Sequence, residues 1–344
     1  MSDVPQTLAL IILAQQYARQ IVSQVNRRTT LLRTIPIVPD VGKNVAWAVK
    51  SSGAVTEYYA DGADVDDYGS DGQASAVLDW ALIRSTARVT GLARSSAAGS
   101  SSPEGNAALW GQNIADSIAE LASKINLGCF SGNGSASPKE ITGLDTAIGS
   151  STATYATIVR SNTTYFDPYL VDPGSATSIT LAQIRTDLAG IYTACGEHPD
   201  VAVCSPGVFN SVMGLFDSRT TYVKQLDQIE TRRGKISFGS FSQAAEVEGV
   251  ILLKDKDATA GQIYYLNTNH VSLVPQVSPK MLELGVVPGQ VLTANDGFGP
   301  IPLLMTLEAL AKTGDSDKYS VKCYLELKVD RPNSCGVRKN VAYS

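Results

Sequence analysis

SPEGNAALWGQNIADSIAELASKINLGCFSGNG, residues 102–134, is the stretch from which the rest of the chain can be read. Ser102-Pro103-Glu104 supplies an N-cap, a first-turn proline and an acid suited to the positive end of a helix. Trp110, Ile114, Ile118, Leu121 and Ile125 then recur at three- and four-residue steps on one face, and Gly128 with Gly132-Asn133-Gly134 ends the run. The spacing predicts a helix of about four turns or more with one face packed on a core. Ala97 to Pro103, just before it, has the composition of a flexible hinge.

Upstream, from Asn44 to Arg94, the pattern is that of β-structure. Val45, Trp47 and Val49 alternate with smaller or polar neighbours, and Val77 to Val89 form a second β-prone run, as the two legs of a long hairpin would. Between the legs lies a turn-forming segment with six carboxylates, Glu57, Asp61, Asp64, Asp66, Asp67 and Asp71, and no basic residue. Hard cations favour oxygen ligands, but the spacing fails the calcium-loop pattern and no closing glutamate follows. Further upstream, Arg19, Arg27, Arg28, Arg33, Lys43 and Lys50 face only Asp3 and Asp40, so a locally basic arm opens the chain. Such an arm is either a solvated helix face or a contact with nucleic acid or a neighbouring chain. The apolar run Leu8 to Ala14 is too short to span a bilayer and lacks a basic start, and is expected to be one face of an amphipathic helix.

Downstream, after a Ser/Gly/Thr-rich connection, Leu181, Ile184, Leu188 and Ile191 carry a helical period that stops at Gly196. Val201 to Cys204 is a short, wholly apolar strand, and Ser205-Pro206 reads as the N-cap and first turn of a helix through Val208, Phe209, Val212, Met213 and Leu215. Helix, buried strand, helix implies a small α/β layer. Val250 to Leu253 and Ile263 to Leu266 add strands, and Tyr319, Val321, Cys323, Leu325, Leu327 and Val329 alternate as a long half-buried one.

The 344 residues carry 28 basic and 33 acidic side chains, a net charge of -5, which disfavours a dedicated nucleic-acid-binding module. Five widely spaced cysteines, Cys129, Cys195, Cys204, Cys323 and Cys335, form no C-x-x-C pair and are expected to be free thiols made in a reducing cytosol. Candidate chemistry is sparse. His198 lies in the turn-like Gly-Glu-His-Pro-Asp, and His270 is the other histidine. Ser205 follows a strand and precedes a helix but lacks the flanking glycines of a nucleophile elbow. Gly132-Asn133-Gly134 follows a helix instead of a strand, so it is a helix stop and not a phosphate loop. Arg232-Arg233-Gly234-Lys235 is a basic cluster of the kind found in ordinary loops.

The order of basic arm, acidic-tipped hairpin, hinge, long helix, α/β region and returning strands resembles the major capsid proteins of tailed double-stranded DNA bacteriophages across essentially the whole chain. Asn44 to Lys50 looks like the ascending leg of the family's extended E-loop, and Leu109 to Phe130 with Ser131 to Gly134 looks like its spine helix and following turn. Ile141 to Leu144, Tyr155 to Ile158, and Val203 to Pro206 are similar to axial-domain landmarks.

The resemblance implies an α+β, Hong Kong 97-like fold. Its parts would be an N-terminal arm over 1–42, an E-loop hairpin over 43–94, a peripheral-domain spine helix over 95–140, an α/β axial domain over 141–268, and returning peripheral-domain strands with the C-terminus over 269–344. It implies a non-enzymatic shell subunit that forms pentamers and hexamers of an icosahedral virion capsid around DNA, assembled in the host cytoplasm. The partners implied are further copies of the chain, a portal protein, separate scaffolding and decoration proteins, and nonspecifically contacted DNA. No cofactor, metal or membrane is expected.

A long hairpin has exposed edges and gains stability by lying across a neighbour, and its six carboxylates would seek a basic patch there. Candidate basic partners or DNA-facing residues are Arg84, Arg88, Arg331, Arg338 and Lys339, together with Arg19, Arg27, Arg28 and Arg33 of the arm. The chain departs from the best-known member in two ways. No long charged helical segment precedes the arm, so an internal scaffolding domain is expected to be removed or supplied separately. The hairpin tip lacks a lysine, so a shell held by noncovalent contacts is expected. Two alternatives stay open: an encapsulin-type compartment of the same fold, and an α/β hydrolase with Ser205 as nucleophile and His198 or His270 as base.

Overall fold

The computed structural model describes residues 29–51, 58, 61, 72–98, 104–134, 137–217, 228–231, 234–237, 244–277, 294–295, 300–301, 303–311 and 314–343. The expected amphipathic helix and Arg19, Arg27 and Arg28 lie outside the described residues. So do Ser102-Pro103, most of the acidic tip, and Arg232-Arg233.

In chain order the elements are α1 (Thr30–Thr34), β1 (Val45–Lys50), β2 (Gln73–Leu78), β3 (Ala81–Thr90), α2 (Gly91–Ala98), α3 (Glu104–Ser131), α4 (Leu144–Ala147), β4 (Thr154–Tyr155), β5 (Ile158–Val159) and β6 (Tyr169–Val171). Then follow α5 (Leu181–Cys195), β7 (Val201–Cys204), α6 (Pro206–Asp217), β8 (Gln228–Thr231), β9 (Gly234–Ser237), β10 (Ala244–Val247), β11 (Val250–Lys254), β12 (Ile263–Leu266) and β13 (Val271–Pro275). The last are β14 (Ala294–Asn295), β15 (Pro300–Ile301), β16 (Thr306–Leu310), β17 (Ser316–Val329) and β18 (Gly336–Arg338).

Two sheets organise the chain. The six-stranded mixed sheet has the order β10-β11-β7-β12-β18-β6, with β11 parallel to β7 and β18 parallel to β6. Its middle strands are apolar throughout because both faces are covered. Ala202, Cys204, Ile263 and Tyr265 pack with Ile184, Leu188 and Ile191 of α5 and Val208, Phe209 and Val212 of α6. Val201, Val203, Tyr264 and Leu266 point the other way, into the core that holds Ile125, Cys129 and Phe130 of α3. Helix α5 begins with a capping box between Thr180 and Gln183 and ends at Gly196, whose left-handed φ of 77° suits glycine.

The second sheet is built on β17, which pairs with β13 and β16 along one edge and with β3 along the other. Val321, Cys323, Leu325, Leu327 and Val329 are all at most 2% exposed, so the period-two pattern faces the core as expected. Ile118, Leu121, Ile125 and Cys129 of α3 share that core, in agreement with the helical period.

Buried polar groups join the layers. The Asp255 carboxylate, just after β11, accepts from the Leu31 amide of α1 at 2.9 Å and from Asn126 Nδ2 of α3 at 3.0 Å. Glu326 of β17 accepts from the Thr142 amide at 2.6 Å and the Leu327 amide at 3.1 Å, tying the sheet to the turn after α3.

Four expectations need correction. The returning hairpin leg ends at Leu78: among the described residues β1 pairs with β2 alone, from Val45↔Leu78 to Lys50↔Gln73, while β3 joins β17 over its full length, from Ser316↔Thr90 to Leu325↔Ala81. The Asp79-Trp80 break redirects the chain, and Trp80 is 9% exposed with its indole N–H donating to the Gly42 carbonyl at 3.1 Å. Gly128 lies inside α3, which runs on to Ser131. The glycine that matters for the stop is Gly132, where an added Cβ would lie 2.1 Å from the Ile141 carbonyl oxygen. Ala97 and Ala98, expected in the hinge, belong to α2, and residues 99–103 lie outside the described residues. Finally, residues 336–338 leave the sheet of β17 and insert between β12 and β6 in the six-stranded sheet.

Candidate functional site

Ser205 occupies the N-cap position of α6, its carbonyl accepting from the Phe209 amide at 2.9 Å. Its hydroxyl is buried and has no hydrogen-bond partner among the described residues, so it neither caps the helix nor meets a histidine. His198 is exposed and stacked on Tyr192, with ring centroids 4.6 Å apart. His270 has both nitrogens against carboxylates, Nδ1 at 2.8 Å from Asp330 and Nε2 at 3.1 Å from Glu197, which leaves no free ring nitrogen to act as a base. The serine-hydrolase geometry is therefore not formed at this serine.

All five cysteines are free, and four are buried, with Cys195 half-buried. Burial pushes the thiols of Cys323 and Cys335 up to about 12 and those of Cys129 and Cys204 higher still, which disfavours the reactive thiolate. Among the described residues no group of three or more His, Cys, Asp or Glu side chains could hold a metal ion, and no helix is long and apolar enough to cross a membrane.

The candidate basic residues do not gather at one place. Arg338 is a correction: it is 6% exposed, and its Nε and Nη2 each lie 2.6 Å from the Asp187 carboxylate, with Tyr265 also donating to Asp187 at 3.3 Å. A guanidinium used in this way inside its own sheet is not open to a partner. Arg331 donates to Glu197 at 2.7 Å and to the Cys195 carbonyl at 2.8 Å. Arg33, Arg88 and Lys339 are half-buried, and Arg84 is exposed on β3. At the hairpin, Tyr58 and Asp61 are exposed, while Glu57, Asp64, Asp66, Asp67 and Asp71 lie outside the described residues.

Arg84 leads to a site that spacing alone did not reveal. In the β3–β17 register Arg84 stands opposite Lys322 and Leu82 opposite Tyr324, so these four side chains share the sheet face turned away from the apolar alternation of β17. Together with Lys124 and Leu127 of α3 and Lys139 of the following turn they line a trough of about 670 Å³. Lys322 is tied to Glu308 of β16, and Lys139 donates to the Gly134 carbonyl. Arg84 and Lys124 have no carboxylate partner among the described residues, and Glu140 is the acid in the lining. The clue in the sequence was the lysines at even positions of β17, but their pairing with Arg84 required the register.

Arg160 was also missed. It is fully buried beneath the aromatic rings of Tyr155, at 5.0 Å, and Phe166, and it donates to the carbonyls of Thr146, Ala147 and Ser150. It thus satisfies the orphan carbonyls at the end of α4, and burial lowers its pKa to about 10.

No protein-family model matches the sequence, and no curated protein matches it. Solved structures do share the fold. A chain of the cyanophage A-1(L) capsid asymmetric unit superposes with a TM-score of 0.74 at 18% identity, covering 98% of both chains. A chain from Mycobacterium phage Bobi gives 0.55 at 14% identity, covering 98% of this chain and 99% of that one. The holo-SrpI encapsulin complex from Synechococcus elongatus PCC 7942 gives 0.52 at 13% identity, covering 97% of both. The chain therefore has the fold of phage capsid proteins, a mixed helix-and-sheet architecture matched over nearly its whole length.

Proposed function

We propose that the chain is the major capsid protein of a tailed bacteriophage, a non-enzymatic subunit of the Hong Kong 97-like class that assembles with copies of itself into the pentamers and hexamers of an icosahedral shell around double-stranded DNA. The observation that carries this reading is a fold shared with the cyanophage A-1(L) capsid chain over 98% of both chains. In this reading α3 is the spine helix, the sheet of β17 belongs to the peripheral domain, the six-stranded sheet belongs to the axial domain, and the β1–β2 hairpin is the E-loop. The virion is the chain's destination and the host cytoplasm its place of assembly. Portal, scaffolding and decoration proteins, and nonspecific DNA contact through the basic arm, complete its partners.

Physical properties of the chain support a role in assembly. The hairpin carries the exposed Tyr58 and Asp61, and β16 has four exposed residues out of five. Surfaces of that kind are covered when a neighbouring copy is present. The encapsulin reading is supported by the SrpI superposition, which is looser than that with the cyanophage chain, 0.52 against 0.74.

The test is to coexpress the chain with its neighbouring genes, purify the particles and identify their contents. Shells that package double-stranded DNA when portal and packaging proteins are present are expected. Shells filled with a single enzyme would select the encapsulin reading, and a chain that stays monomeric under every condition would overturn both.

A further inference from the structure

We infer that the cleft between the root of the β1–β2 hairpin and the end of β17 is a binding site for a nucleoside phosphate, its base against Tyr165 and its phosphate on Lys328 and Lys50. This does not depend on the shell reading above.

Charge comes first. The cleft holds about 430 Å³, a size usual for small-molecule sites, and shares no lining residue with the trough beside α3. It brings Lys50 of β1, Lys328 of β17 and Arg331 together against one carboxylate, Asp330. Internal pairing uses part of that charge, since Asp330 faces His270 Nδ1 at 2.8 Å and Arg331 donates to Glu197 at 2.7 Å. Lys328 has no carboxylate partner among the described residues, and its ammonium stands 5.1 Å from the centre of the Trp47 ring. An ammonium accompanied by a ring alone is open to an anion. In a chain of net charge -5 this positive lining is a local feature, not a reflection of composition.

The rest of the lining decides which anion. Trp47 and Tyr165 are half-buried and Phe166 is buried, so one wall is aromatic with part of its ring surface open. Inorganic phosphate would gain nothing from that wall, and an apolar ligand would desolvate the lysines without return. A nucleoside phosphate uses both, its base stacking on a ring and its phosphate accepting from the ammonium donors. A closed DNA duplex keeps its bases inside and offers phosphates alone. The aromatic wall therefore selects a free nucleotide or an unpaired nucleotide of a strand.

The position gives such a ligand an effect on the chain. The walls come from the hairpin root, the turn at Tyr165 and Phe166, and the segment that leaves β17. Root and segment already touch where the Trp47 indole N–H donates to the Asp330 carbonyl at 3.3 Å. The turn joins them through Phe166, stacked on Tyr155, whose hydroxyl accepts from the Val329 amide at 2.9 Å. A phosphate bridging Lys50 and Lys328 would add a second brace between the hairpin root and the sheet of β17.

The test is calorimetric titration of the full-length chain, purified free of nucleotide, with dATP, inorganic phosphate and a short single-stranded oligothymidylate as probes. Saturable binding of dATP is expected, on the order of tenfold tighter than that of inorganic phosphate. Lys328→Met, which keeps the stem and removes the charge, and Tyr165→Ala should each weaken it on the order of tenfold, and Lys328→Met should also flatten its salt dependence. Thermal melting shows whether each variant is folded. If one is not, Lys50→Met replaces the charge variant and Tyr165→Leu the ring variant.

Wild-type chain that binds none of the probes, or dATP binding that survives both the charge and the ring variant unchanged, would overturn the proposal. Inorganic phosphate bound as tightly as dATP would overturn the nucleoside assignment, because the ring wall would then contribute nothing. Tighter binding of the oligonucleotide, lost in the same variants, would assign the site to an unpaired nucleotide of a DNA strand, and tighter binding of dATP to a free nucleotide; either supports the proposal. All of this is read on the isolated chain, so the proposal and the shell reading fail separately.

Discussion

The two largest sheets among the described residues are finished to different degrees. In the six-stranded sheet, β7 and β12 are buried at every position, because α5 and α6 cover one face and α3 the other. In the sheet of β17 the odd-numbered face is equally dry from Val321 to Val329, yet β16 at its edge is exposed at four of five positions and the opposite face opens into the basic trough. The first sheet satisfies the chain's own stability, whereas the second stops short of closing its surface. Under the shell reading proposed above, the region left open is where a neighbouring copy would pack.

The comparison predicts where substitutions will register. The largest effect is expected at the Asp187–Arg338 pair, which joins α5 to β18. Asp187→Ala leaves a guanidinium without its carboxylate inside the six-stranded sheet and should cost about 3–5 kcal/mol in denaturant unfolding of the isolated chain. A cost under 1 kcal/mol would mean that this sheet is less tightly closed than described. Leu325→Ala, on the dry face of β17, should cost about 2–5 kcal/mol, because that face is as well packed as its counterpart.

A third prediction concerns Glu326, where burial raises the pKa to about 7. Between the ordinary glutamate range and pH 7 the folded chain holds a proton that the unfolded chain has released. Stability from this group therefore falls as pH rises through that window and is level above it, by at most about 3 kcal/mol in total. Glu326→Gln should flatten the slope in melting curves taken between pH 4.5 and 8; an unchanged slope would assign the pH dependence to other groups. The smallest effect is expected at the open edge. Leu307→Ser with Leu310→Ser, at side chains 40% and 38% exposed, should cost the isolated chain only about 1–2 kcal/mol while lowering the yield of assembled particles. A large loss of monomer stability would show that β16 is covered within the chain.

Much of the fold was legible because burial imposes a period. The three- and four-residue steps of Ile114, Ile118, Leu121 and Ile125 located α3, the alternation from Tyr319 to Val329 located β17, and the apolar Val201 to Cys204 marked a strand covered on both sides. Partnership was harder to read. Ala81 to Thr90 has the same β-prone composition as a hairpin leg, and only the turn at Asp79-Trp80 sends it to β17. Gly336 to Arg338 is too short to declare its sheet, and Arg338 looked like a surface cation because its partner lies 151 residues away in sequence. The trough was invisible for the same reason: Arg84 and Lys322 meet through a register that neither strand encodes alone.

The central claim is that this chain is built to associate with copies of itself. The most direct test is to image the purified full-length protein by electron microscopy across a concentration series, with particle masses measured in parallel. Rings of five and six copies, or closed shells, are the expected result. A uniform monomer at every concentration, with and without the proteins encoded by its neighbouring genes, would contradict it.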